Sequence, residues 1–208
     1  MTQSARTLDD LHPMLEASRV VPVVTVRDAD QGVEIARALL RGGIRAIEIT
    51  LRTDAAYDAI RAVKREVPEI ALGVGTVLHR NHVEFCHEER VDFLVTPGTT
   101  DALYSAVAEH QLNLFPGVAT ASEALRALGE GCQLQKFFPA AASGGPAAIS
   151  GIGGPMPDIT FMPTGGIDAQ TAPDYLALAN VACVGGSWVT KPDDMDRVEE
   201  LAREASRL

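Results

Sequence analysis

Short runs rich in β-branched residues alternate with amphipathic helical patterns along this chain, and that alternation limits the fold more than any other feature. Eight runs are predicted as strands, over 20–25, 46–49, 71–74, 93–95, 113–115, 133–137, 159–162 and 182–184. Most are continuously apolar, as strands covered on both faces of a parallel sheet must be. The helix predicted over 28–41 turns Val33, Ile35, Ala36, Leu39 and Leu40 inward, and Gly42-Gly43 ends it. The next, over 53–66, lines up Ala56, Ile60, Val63 and Val67 before Pro68, with Asp54, Asp58, Arg61 and Lys64 on its opposite face. Eight strand–helix cycles in 208 residues predict an α/β fold, a (β/α)₈ TIM barrel forming one domain over 1–208. Leu8, Leu11, Met14 and Leu15 add an N-terminal helix over about 7–18, closing the barrel bottom or lying on its side. An open doubly wound sheet is the alternative. It usually carries a Gly-rich fingerprint after its first strand, and Val24-Thr25-Val26-Arg27-Asp28 has none. The stretch 140–148, rich in Ala, Gly, Ser and Pro, is predicted as a loop.

Only 5% of the residues are aromatic, so the core is expected to consist mainly of Ala, Val, Ile and Leu. A formal net charge of −10 without a Lys/Arg cluster argues against a nucleic-acid partner. A small anionic ligand then needs a local site. Cys86, Cys132 and Cys183 are odd in number and widely spaced, which suits free thiols in a reducing cytoplasm. No signal peptide and no apolar run approaching ~18 residues is seen, so no membrane association is expected.

In a (β/α)₈ barrel the chemistry sits at the C-terminal strand ends, so polar residues there are examined first. Glu48 is flanked by Ile47 and Ile49; it serves either in a satisfied ion pair, with Arg52 as a candidate partner, or in catalysis. Lys136 precedes Phe137 and Phe138 at a strand end. It either snorkels to water or is desolvated, and desolvation favours the neutral form of an amine that attacks carbonyl carbon. Thr164-Gly165-Gly166 follows the seventh strand and Gly185-Gly186-Ser187 the eighth. Paired glycines at these positions, with a short helix starting near Ser187, predict an anion site in which Gly166 and Gly186 leave room at their Cα atoms.

The chain resembles the 2-keto-3-deoxy-6-phosphogluconate (KDPG) aldolases, some of which also cleave 4-hydroxy-2-oxoglutarate (KHG). The likeness runs through Val21-Pro22-Val23, Gly42-Gly43-Ile44-Arg45, Glu48-Ile49-Thr50-Leu51-Arg52-Thr53, Gly73-Val74-Gly75-Thr76-Val77, Thr96-Pro97-Gly98 and Phe115-Pro116-Gly117. It continues through Lys136-Phe137-Phe138-Pro139-Ala140, Pro163-Thr164-Gly165-Gly166-Ile167 and Gly185-Gly186-Ser187-Trp188, in order and spacing. The resemblance implies a class I lyase acting on a phosphorylated keto acid, with Lys136 forming a Schiff base and Glu48 moving protons. It further implies that Arg52 and Thr76 hold the pyruvate carboxylate, that Phe138 lies against the pyruvyl part and that Pro97 closes the site wall. Thr164, Gly165, Gly166, Gly185, Gly186 and Ser187 would receive the phosphate and neighbouring hydroxyls. The resemblance implies no metal or cofactor, and it implies a homotrimer.

Two departures bear on specificity. Ala141 stands where many members carry Glu, and Thr25 stands where some carry an arginine, so Arg27 or backbone donors are expected to replace it. The galactonate-derived phosphate is an alternative substrate. A phosphate-binding isomerase or epimerase would use Glu48 without an imine, and a sensor would bind without turnover. His79, His82, Cys86 and His87 fall at helical spacing like a zinc set, but Asn81, Glu84, Glu88 and Glu89 mark a solvated helix face. Cys132 and Cys183 sit at strand starts and are expected to be inert.

Overall fold

The computed structural model describes residues 5–208. Its strands are β1 (Val20–Val24), β2 (Ala46–Thr50), β3 (Ala71–Gly75), β4 (Phe93–Val95), β5 (Leu114–Phe115), β6 (Gly117–Val118), β7 (Leu134–Phe137), β8 (Thr160–Phe161) and β9 (Val184–Gly186). Its helices are α1 (Leu8–Ser18), α2 (Ala29–Arg41), α3 (Ala55–Glu66), α4 (Arg80–Glu88), α5 (Asp101–His110), α6 (Ala121–Gly129), α7 (Gly145–Gly153), α8 (Ala172–Leu176) and α9 (Met195–Ala205). All strand pairings are parallel, in a six-stranded sheet ordered β5-β4-β3-β2-β1-β9 that forms a half-barrel and a three-stranded sheet ordered β6-β7-β8.

Hydrogen bonds cross both seams between the sheets. At one, the chain runs from β5 into β6 through Pro116, which has no N–H and splits the predicted strand over 113–115 from its continuation. Across this seam Gly117 N of β6 donates to Thr96 Oγ1, just past β4, at 3.0 Å. At the other, Phe161 bridges Val181, Thr164 bridges Gly185, and Gly185 N donates to Pro163 O at 2.7 Å.

Local signals explain most helix starts. Thr7 and Asp10 form a capping box on α1, and the Asp28 carboxylate accepts Gln31 N at 2.7 Å at the start of α2. Gly43, at φ 96°, makes the left-handed turn after α2. The loop expected over 140–148 is corrected in its second half, where α7 starts at Gly145. Pro146 falls in the first turn, where its missing N–H costs nothing, and Ala147 and Ala148 favour helix.

Two apolar layers result from the strand period of two. Ile47, Ile49 and Phe137 face the helices, whereas Ala46 and Leu134 join Val21, Ala71, Phe93, Phe115 and Met162 on the inner face. Leu11 and Leu15 of α1 belong to the inner cluster, so α1 covers the end from which the strands start. Gly73 admits the Phe93 ring, which would lie 2.0 Å from a Cβ there. The same alternation turns Glu48 and Lys136 inward, beyond Ala46 and Leu134 towards the C-terminal strand ends.

At the α1 end, Asp92 is 1% exposed and accepts from Arg6 N (3.0 Å), Arg6 Nη1 (2.8 Å), Leu72 N (2.8 Å) and Lys64 Nζ (3.4 Å). These bonds fasten the segment before α1 to β3 and β4.

Candidate active site

Lys136 and Glu48 are 4% and 1% exposed, and Lys136 Nζ donates to Glu48 Oε1 at 3.2 Å. The ion-pair partner of Glu48 is therefore Lys136, not Arg52, and the lysine does not snorkel to water. Glu48 Oε2 is buried with no hydrogen-bond partner. An unsatisfied oxygen on a buried carboxylate is a costly feature unless a ligand group or water uses it. Gly75 makes the arrangement possible, because a Cβ there would lie 2.0 Å from Oε1. The Phe138 ring centroid lies 5.2 Å from Lys136 Nζ, within cation–π reach.

Arg52 Nε donates to Thr76 Oγ1 at 3.2 Å. Thr76 has φ 61°, an uncommon conformation for a β-branched residue that costs on the order of 1–3 kcal/mol. This strained turn at the end of β3 sets the hydroxyl against the guanidinium.

A pocket of about 550 Å³ opens at the C-terminal strand ends. Among the residues singled out by sequence, Thr25, Arg52, Phe138, Thr164, Gly165, Gly166, Gly185, Gly186 and Ser187 line it. Lys136 and Glu48 are buried and do not themselves line it; Phe138, beside Lys136, does. Thr76 touches it through Arg52, and Pro97 is exposed and does not border it. Sequence reasoning passed over Val23, Val24, Ile167, Thr190 and Lys191, which complete the wall. No local signal in the sequence sets Lys191 apart from other exposed lysines.

The diglycine loops differ from expectation. Gly165 and Gly166 have φ of 100° and 76°, so their turns need glycine. The Cα sides of Gly166 and Gly186 are not left open for an anion: a Cβ would lie 2.6 Å from Ala141 Cβ and 1.8 Å from the Trp188 ring respectively. At Gly185 it would lie 2.1 Å from Thr164 Oγ1. Close protein packing demands glycine at 185 and 186 and reinforces the φ requirement at 166, and all three border the pocket. The helix expected near Ser187 is a three-residue 3₁₀ turn, Trp188–Thr190, too short to present a useful dipole. Arg27 is held by Asp193 at 2.7 Å and Asp28 at 3.7 Å and does not border the pocket.

The zinc-like set does not converge. Cys86 is buried in the core, while His79 stacks on His82 and His87 on His110. Among the described residues no group of three or more His, Cys, Asp or Glu is placed to hold a metal ion, and no helix is long and apolar enough to cross a membrane. Burial pushes the Cys86 and Cys183 thiols up to about 12 and that of Cys132 to about 11.

A buried lysine–glutamate pair beside a pocket with two diglycine loops corresponds to a defined sequence family. The profile of the KDPG and KHG aldolases matches residues 11–202. The chain belongs to this family. It is 44% identical over 197 residues to the KHG/KDPG aldolase of Escherichia coli, covering 92% of each chain. The KDPG aldolase of Legionella pneumophila, solved with pyruvate captured at low pH as a covalent carbinolamine intermediate, superposes with a TM-score of 0.88 at 36% identity, covering 92% of this chain and 96% of that one. The KDPG aldolase of Zymomonas mobilis with 3-phosphoglycerate gives 0.90 at 36% identity, covering 96% of each.

Proposed function

We propose that this protein is a class I aldolase that cleaves KDPG to pyruvate and glyceraldehyde 3-phosphate, and KHG to pyruvate and glyoxylate. The observation that carries the reading is the buried 3.2 Å contact between Lys136 Nζ and Glu48 Oε1. The Lys136 amine attacks the C2 keto carbon and water leaves, giving an imine. Protonated, the imine accepts the electron pair of the breaking C3–C4 bond as the C4 hydroxyl loses its proton and becomes the aldehyde. Glu48 moves these protons and returns one to C3, which becomes the pyruvate methyl; water then hydrolyses the imine, releasing pyruvate and the Lys136 amine, and the unpartnered Oε2 of Glu48 is available to a hydroxyl or water. Arg52, held by Thr76, binds the carboxylate, and Phe138 flanks the pyruvyl part. Thr164, Ser187 and the glycine loops receive the distal end. An isomerase using Glu48 alone leaves the burial of Lys136 without a purpose.

Support for the wider reading comes from both seams and from composition. We propose that β5 and β6 act as one strand interrupted at Pro116, so that the strands close as a single-domain (β/α)₈ barrel. The seam bonds from Gly117 to Thr96, and those to Phe161 and Pro163, favour closure. A homotrimer is proposed from the family resemblance, and a cytoplasmic home from three unpaired thiols.

Borohydride reduction in the presence of pyruvate is the direct test. The expected product is a covalent adduct on Lys136, lost in Lys136→Ala, whose cleavage of KDPG is abolished while its circular dichroism is retained. An adduct on Lys64 or Lys191 alone would overturn the mechanism.

A further inference from the structure

The distal phosphate poses a charge problem that the imine chemistry does not address. At a formal net charge of −10 the molecule repels a dianion at long range, so a cation at the pocket would add to what the loop N–H groups and hydroxyls offer it. Two border the pocket, Arg52 and Lys191. Arg52 is fastened to Thr76 at the end of β3 and serves the carboxylate under the reading above. At the end of β1 the wall is neutral: Thr25 is exposed and its hydroxyl is hydrogen-bonded to Thr50 Oγ1 at 3.0 Å. Arg27 is engaged by Asp193 and Asp28. The Gly185 N–H is committed to Pro163 O. Lys191 is exposed, follows the Trp188–Thr190 turn after β9, and makes no ion pair within 4.0 Å among the described residues. Because β9 pairs with β1 through Pro22 and Gly186, the loop carrying Lys191 leaves the sheet beside the β1 end.

We propose that Lys191 is the specificity-determining cation of this aldolase: its ammonium binds the distal phosphate from the loop after β9. The inference rests on the aldolase reading above. Lys191 also lies close enough to Asp168 to act on its carboxyl, which is held below the usual carboxylate range first by its hydrogen bonds with Thr171. A cation there offsets the carboxylate at the far end of the Thr164–Gly166 loop. A charge-assisted hydrogen bond to phosphate in an open pocket corresponds to about ten- to hundredfold in binding.

The test compares wild type with Lys191→Met, Lys191→Arg and Arg27→Met, using KDPG, KHG and inorganic phosphate. In Lys191→Met, KM for KDPG is expected to rise about ten- to hundredfold with kcat little changed. The kcat/KM preference for KDPG over KHG falls in step, and Lys191→Arg restores most of it. Inorganic phosphate binding, followed by ³¹P NMR, weakens in Lys191→Met and not in Arg27→Met. A KM within twofold of wild type, or equal losses on KDPG and KHG, would overturn the proposal, as would a specific loss confined to Arg27→Met. Failure of the aldolase reading has a different signature: wild type itself gives no pyruvate adduct with borohydride. Phosphate binding then still decides the role of Lys191.

Discussion

Glu48 and Lys136 form a buried ionisable pair on the inner face, and the space for it is set by the missing side chain of Gly75. Glu48→Gln keeps the size of the side chain and removes its ability to take a proton. It is expected to retain borohydride trapping of pyruvate and to slow exchange of the pyruvate methyl protons in D₂O by on the order of 10²-fold or more. Gly75→Ala keeps the carboxylate but places a Cβ where Oε1 now lies. The same exchange assay should show a loss approaching that of Glu48→Gln, with far-UV circular dichroism unchanged. Normal exchange in both variants would place the base on another group. Glu48 and Lys136 were legible in the sequence because a charged residue inside an apolar strand has few places to go. Lys191 was not, since an exposed loop lysine differs from its neighbours only in what the fold sets opposite it. Arg27 was chosen for its closeness to Thr25 in sequence, yet its partner Asp193 is 166 residues away. Glycines invite the same error: Gly186 announces a tight backbone, but only the fold shows that the Trp188 ring fills the space.

Among the elements, the predicted strands over 46–49, 71–74 and 93–95 agree with β2, β3 and β4 within a residue, because continuous apolar runs flanked by turns admit little else. The predicted strand over 182–184 shifts to Val184–Gly186, where pairing with Val20–Pro22 decides the register and no local signal does. The stretch over 140–148 illustrates the opposite failure, with low complexity masking two good helix formers. The fastening of the N-terminal segment was invisible in sequence, since Arg6 and Asp92 meet only through the fold. It yields a prediction at this scale. Asp92→Ala leaves the buried Leu72 N–H without its acceptor and the Arg6 guanidinium without its carboxylate. Loss of one partner from such a buried pair should cost about 3 kcal/mol. Urea denaturation is expected to show a lower midpoint with an unchanged slope. KM for KDPG should stay within about twofold, because the fastening lies at the α1 end and the pocket at the other. A midpoint shift too small to measure would mean that Lys64 and solvent replace the lost contacts.

Across the whole molecule, the accessible surface of 9280 Å² is what a compact chain of 22.1 kDa should have, about 9300 Å² from the scaling of surface with mass. Such compaction keeps the three thiols quiet. At pH 8 the Cys86 and Cys183 thiols, pushed up to about 12, and the Cys132 thiol, pushed to about 11, hold little thiolate. Ellman's reagent should therefore react slowly with native protein, first at the partly exposed Cys132, and reach all three after denaturation; a fast native reaction at Cys86 would contradict its burial. The two sheets raise a question about cooperativity, because six strands could in principle hold together without the other three. Hydrogen bonds at both seams argue otherwise: opening either one strands buried backbone groups of Gly117, Phe161 or Gly185. The proposed single domain should accordingly melt in one transition, with calorimetric and van't Hoff enthalpies equal if subunit dissociation is included in the fit. If the chain is also a trimer, folding is linked to assembly, and Tm should rise as protein concentration increases from about 1 to 100 μM. Two separated transitions would show that the half-barrel folds apart from β6-β7-β8 and would end the single-domain proposal. One transition with a Tm independent of concentration would keep the domain and remove the stabilising trimer.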